Sequence, residues 1–187
     1  TFSCATPCSV LMNSALQRNL IYIHGFGSSA AAHKAQLLRE HFARYGAEQR
    51  LFVPSLPVEP RRAMARLEET LAAAGPAALV GSSLGGFYAT WLACHHELRA
   101  VLVNPAVRPW RLLANYTGDN INYQTGETEY FDPSWVGQLE SYGVEAPMCP
   151  ESLMVLVQTG DDTLDWRDAA DFYQDCHFFR GLGGSHG

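Results

Sequence analysis

Apolar residues run along this chain in two alternating rhythms. Short, nearly continuous apolar runs read as buried strands at NLIYIHG (19–25), RLFVPSL (50–56), AALVGSS (77–83), RAVLVNP (99–105) and SLMVLVQTG (152–160), with a weaker sixth at DCHFFRGL (175–182). Such continuity is what strands covered on both faces require. Between them, AAHKAQLLREHFARYG (31–46), ARLEETLAAAG (65–75), LGGFYATWLACHHE (84–97) and WRDAADFYQ (166–174) carry helical patterns. Leu37, Leu38, Phe42 and Tyr45 recur at helical spacing, and Gly46 and Gly75 stand where C-terminal caps belong. Strand and helix alternating in this way predict an α/β fold: a mostly parallel sheet of about six strands with helices on both sides. Right-handed crossovers then put an active site at the carboxyl ends of the strands.

The stretch 106–150 breaks the rhythm. It is rich in Tyr, Asn, Gly and Pro and shows periodicity only at SWVGQLESYG. It reads as a small excursion over the site, either a lid or an ordinary surface insertion. The 187 residues, 47% hydrophobic and 17% charged, suit one domain spanning 19–187. Residues 1–18 read as an N-terminal extension without the basic start and apolar stretch of a secretory signal, and Met12 is a candidate natural start.

Charge narrows the partners. A net charge of -6, with 13 Lys and Arg residues scattered along the chain, offers no footprint for nucleic acid or an anionic membrane. No apolar stretch approaches the roughly 20 residues of a membrane-spanning helix. The five cysteines, Cys4, Cys8, Cys94, Cys149 and Cys176, form no Cys-x-x-Cys pair. Cys94 is expected to pack as a free, small apolar residue, and the set favours a reducing cytoplasm.

The chemistry concentrates in three places. Gly81-Ser82-Ser83-Leu84-Gly85 joins a predicted strand directly to a predicted helix, the setting of a nucleophile elbow. Small residues two positions either side of Ser83 let strand and helix approach, so Ser83 is the exposed hydroxyl. A phosphate-binding loop is the competing reading, and it lacks its lysine here. His24-Gly25-Phe26-Gly27 ends the first strand, where a loop N–H assists the N–H after the nucleophile in binding an oxyanion. Phe26 and Leu84 are the expected donors. His24 is read as structural or loop-orienting, because in this chain order the general-base histidine comes last.

That histidine is His186, on the glycine-rich loop 181–186 after the final strand. His33, His41, His95, His96 and His177 take ordinary helical or strand positions. The acid must follow a late strand and hold the imidazole tautomer. Asp161 is the first candidate; Asp165, which could instead cap the next helix, is the second, and Asp162 the third. Phe26, Phe87, Trp110, Tyr116 and Trp135 fall in segments expected near the site, either lining a modest apolar acyl pocket or packing in the core. Phe26, Phe87 and Trp110 are the substrate-binding candidates.

Five blocks, YIHGFGSS, LVGSSLGGFYATWLA, VLVNPAVRP, QTGDDTLDWR and GGSH, occur in an order and spacing that resemble the YqiA-like small bacterial esterases of the α/β-hydrolase superfamily. The resemblance runs from about residue 20 onward. It implies carboxylester hydrolysis with no metal or organic cofactor, Ser83, Asp161 and His186 falling on the family's triad motifs. The histidine loop reads Gly-Gly-Ser-His where the family usually has Gly-Gly-Asn-His, and the family continues past the histidine into a final helix where this sequence stops at Gly187. The expected function is hydrolysis of short to medium carboxylic esters or acyl thioesters, small molecules, through an acyl-enzyme on Ser83. A non-catalytic binding protein of the same fold and an acyltransferase are the alternatives.

Overall fold

The computed structural model describes residues 18–186. The predicted N-terminal extension, with Cys4 and Cys8, therefore lies almost wholly outside the described residues. Six strands form one parallel sheet in the order β2-β1-β3-β4-β7-β8: β1 (Asn19–Ile23), β2 (Leu51–Phe52), β3 (Ala77–Ser82), β4 (Ala100–Val103), β7 (Leu153–Gln158) and β8 (His177–Gly181). Each coincides with one of the six apolar runs. The helices α1 (His33–Arg44), α2 (Pro60–Ala74), α3 (Leu84–His95) and α6 (Trp166–Phe172) fall on the four helical patterns. Gly46 and Gly75 follow α1 and α2 at φ of 60° and 65°, a backbone region that glycine enters without steric cost.

The chain steps from β1 to β2 in one direction along the sheet and from β2 through β3, β4, β7 and β8 in the other. With right-handed crossovers, α1 lies on one face and α2, α3 and α6 on the opposite face. That second face is the dry one. Leu79, Leu102, Leu153 and Val155 are buried there against Ala89, Leu92 and Leu67. On the face of α1, cover is incomplete: Leu20, Val80 and Val101 border a shallow groove, and Met154 is 39% exposed. Full cover on both faces, expected from the apolar runs, is thus met on one face only among the described residues. The apolar character of a strand registers that both faces are hydrophobic without saying what lies over them.

The excursion is more regular than its sequence suggests. It comprises α4 (Pro109–Leu113), an antiparallel hairpin of β5 (Gly118–Ile121) and β6 (Thr128–Phe131), and α5 (Trp135–Ser141). Asn122 closes the hairpin loop, its Oδ1 accepting from the N–H groups of Gln124 and Thr125 at 2.9 and 3.1 Å. The hairpin leans on the loop after β1: Tyr123 N–H donates to the Gly27 carbonyl at 2.9 Å, and Asn122 Nδ2 to the Ser28 carbonyl at 3.1 Å. No described helix is long and apolar enough to cross a membrane.

One cysteine expectation is corrected. Cys94, near the end of α3, is disulfide-bonded to Cys149, just before β7, with Cα atoms 5.3 Å apart; Cys176 is free. Spacing along the chain cannot disclose this pair, because the sheet brings together residues 55 positions apart. The inference from free thiols to a reducing compartment loses its basis. The bond ties the end of the excursion to the C-terminal turn of α3. Closing a loop of this length stabilises a fold by about 4 kcal/mol on the chain-entropy model, so the double variant Cys94→Ala/Cys149→Ala is expected to unfold at clearly lower urea concentration. An unchanged midpoint would show that the covalent link contributes nothing.

Candidate active site

Ser83 sits at the carboxyl end of β3 with φ 55° and ψ -121°, a conformation that costs a non-glycine residue about 1–3 kcal/mol. The turn holds it there: Ser83 N–H donates to the Val103 carbonyl at 3.1 Å, and its own carbonyl accepts from Gly86 and Ala106 at 2.9 and 3.1 Å. Close approach explains the neighbouring glycines. A Cβ on Gly81 would strike the Gly85 carbonyl, and one on Gly85 would strike the Ile23 carbonyl. Strand β3, helix α3 and the end of β1 therefore meet only because both positions lack side chains.

The loop after β1 runs beside the serine, so close that a Cβ on Gly25 would press on Ser83 Cβ and approach its Oγ. Phe26 and Leu84 border the same cleft as Ser83, and their N–H groups donate to no acceptor among the described residues. His24 orients this loop. Its buried ring accepts the Leu56 N–H at Nε2 (3.3 Å) and faces the Gly25 carbonyl with Nδ1 (3.0 Å), so Nδ1 carries the proton. Burial lowers its pKa, against weaker raising contributions from the Gly25 carbonyl and Glu129. The ring is neutral and fully engaged with backbone.

Ser83, His186 and Asp161 form one hydrogen-bonded line. Ser83 Oγ lies 2.9 Å from His186 Nε2, and His186 Nδ1 lies 2.7 Å from Asp161 Oδ2. The Asp161 side chain is 2% exposed and that of His186 23%. The second carboxylate oxygen of Asp161 accepts the Thr163 and Leu164 N–H groups at 2.9 and 2.8 Å, which fixes the carboxylate's orientation. Asp165 is engaged elsewhere, capping α6 by accepting the Arg167 N–H at 3.0 Å, and Asp162 is exposed.

Two residues that sequence reasoning missed set the histidine loop. Buried Asn104, at the end of β4 with φ 43°, accepts the Gln158 N–H at 2.9 Å and donates to the Ser185 carbonyl at 3.3 Å. Gln158 Oε1 accepts the Ser185 N–H at 2.8 Å. Both ties reach the backbone of residue 185, so the serine found there satisfies them as well as an asparagine would. The only sequence signal was an asparagine between a strand and a proline.

The cleft has two lobes that meet at Ser83 and His186. One, of about 280 Å³, is largely apolar and bordered by Leu112, Leu113, Tyr116, Ile121 and Leu164. The other, of about 220 Å³, is bordered by the polar side chains of Ser28, His33, Lys34 and Gln124 together with the rings of Tyr22 and Tyr123. Of the aromatic candidates, Phe26 and Tyr116 line the apolar lobe, with rings edge to face at 6.1 Å. Phe87 and Trp110 do not. They pack on each other at 6.0 Å, Phe87 being buried, while Trp135 packs on Phe131 at 5.7 Å. The substrate-contact expectation for Phe87 and Trp110 gives way to core packing, since their position on α3 and α4 turns both rings toward the body of the protein.

A model of the uncharacterised protein family UPF0227 matches residues 19–187. The chain belongs to this family. UPF0227 is the YqiA-like family that the sequence blocks resemble. Solved α/β hydrolases share the fold of this UPF0227 chain. Est1E from Butyrivibrio proteoclasticus, solved with ferulic acid bound, superposes with a TM-score of 0.69 at 11% identity, over 90% of this chain and 81% of its own. The mouse α/β hydrolase domain-containing protein 10 gives 0.70 at 17% identity, over 91% and 82%. The monoacylglycerol lipase of Paleococcus ferrophilus gives 0.63 at 14% identity, over 90% and 85%.

Proposed function

We propose that this protein is a serine hydrolase that cleaves short to medium carboxylic esters or acyl thioesters through an acyl-enzyme on Ser83. The observation that carries the reading is the line from Ser83 Oγ through His186 to Asp161, 2.9 and 2.7 Å, beside the unengaged N–H groups of Phe26 and Leu84. Ser83 Oγ attacks the substrate carbonyl as His186 Nε2 takes its proton, and the two N–H groups stabilise the oxyanion. His186 then protonates the departing alcohol or thiol. Water, deprotonated by His186, attacks the acyl carbonyl and releases the acid with Ser83 restored. Asp161 keeps the Nδ1 proton in place and stabilises the imidazolium.

An apolar lobe near 280 Å³ is small among sites of roughly 300–1,000 Å³, which supports acyl groups of modest length. A fluorophosphonate probe is expected to add its phosphonyl group to the peptide containing Ser83, read by mass spectrometry. A folded protein that stays unlabelled, or is labelled only elsewhere, would overturn the proposal.

A further inference from the structure

The second lobe beside Ser83 holds a cation that the reaction above does not use. Lys34, on the first turn of α1, projects into it alongside Ser28, Tyr123 and Gln124. An ammonium has three donors, and the described residues give it one acceptor, the His186 carbonyl at 3.2 Å. No Asp or Glu lines this lobe among the described residues. Its buried phenol, Tyr22, is neutral at pH 7, burial pushing its pKa up to about 12 against a weaker lowering by the Ser82 hydroxyl. Burial lowers the pKa of Lys34, and the charge of Asp161 offsets part of that. A half-buried ammonium in a lobe lined by no carboxylate among the described residues, its one charged influence being Asp161 behind His186, is stabilised by an anion that enters.

We infer that the Lys34 lobe receives a carboxylate carried by the substrate, so that the preferred esters are anionic, with their uncharged part in the apolar lobe formed by Leu112, Leu113, Ile121 and Leu164. This rests on the hydrolase reading and adds the substrate's charge class to it. The carboxylate could belong to the acyl or to the alcohol part, and the two sources are separable.

The test compares kcat/KM for two matched pairs: p-nitrophenyl butyrate against mono-p-nitrophenyl glutarate, and methyl 4-butyryloxybenzoate against 4-butyryloxybenzoate. In one pair the wild type is expected to favour the anionic ester by on the order of 10- to 100-fold. Lys34→Met should bring that ratio to one or below, and Lys34→Arg should retain most of it. A wild type that favours the neutral ester in both pairs overturns the inference. So does a Lys34→Met variant whose rates fall equally for both members of a pair, which would assign Lys34 only to holding His186. Fluorophosphonate labelling of Ser83 distinguishes the failures: a labelled protein with no anion preference refutes this inference alone, whereas an unlabelled, inactive protein refutes the hydrolase reading and this inference with it.

Discussion

Replacing Ser83 by alanine is expected to lower kcat for ester hydrolysis about a million-fold, the scale seen when a triad nucleophile is removed. The hydroxyl lost is the one 2.9 Å from His186 Nε2, and no neighbour is placed to replace it, since Ser82 is buried and engaged with Tyr22. The proposed oxyanion donors, the N–H groups of Phe26 and Leu84, belong to the backbone and survive the change, so a residual rate above that in water alone is expected. Alanine adopts the backbone angles of Ser83 at a cost similar to serine's, and the hydrogen bonds holding the turn all use the main chain. The variant should therefore melt close to wild type. Steady-state kinetics beside a thermal melt make the test, and near-normal hydrolysis by a folded Ser83→Ala protein would remove the acyl-enzyme from the mechanism.

Asp161→Asn is expected to lower kcat about ten-thousand-fold with little change in fold. Asparagine can keep its Oδ1 as acceptor for Thr163 and Leu164 N–H, which leaves the amide NH₂ facing His186 Nδ1. Two donors cannot face each other, so the imidazole turns over its tautomer, protonating Nε2 and leaving Nδ1 as acceptor. An Nε2 that already carries a proton cannot take one from Ser83. Asp165→Asn is the control. It weakens a helix cap and is expected to leave kcat within a few-fold of wild type. If instead Asp165→Asn gave the collapse and Asp161→Asn did not, the acid would be wrongly assigned.

Much of this was readable in the chain. The six apolar runs became six strands because a strand buried in a parallel sheet needs continuous apolar residues, a local property. The elbow was readable because its Gly-x-Ser-x-Gly string fills five consecutive residues between a strand and a helix, although the backbone that excludes a Cβ at Gly85 is that of distant Ile23. Asp165 as a helix cap was equally local, a side chain bonding an N–H two residues on. By contrast, Asn104 and Gln158 escaped notice, since what makes them matter is a loop that begins more than twenty residues later and returns to the sheet.

Sequence by itself determined the order of strands and helices, the elbow that exposes Ser83, and a short list of partners for it, because each of these depends on neighbours along the chain. The tertiary structure alone decided which aromatic rings reach the cleft, that Cys94 meets Cys149, that Asn104 and Gln158 hold the histidine loop, and that Lys34 faces a lobe lined by no carboxylate among the described residues. Those outcomes depend on distances between residues far apart in sequence, set when the sheet packs, and no local pattern encodes them.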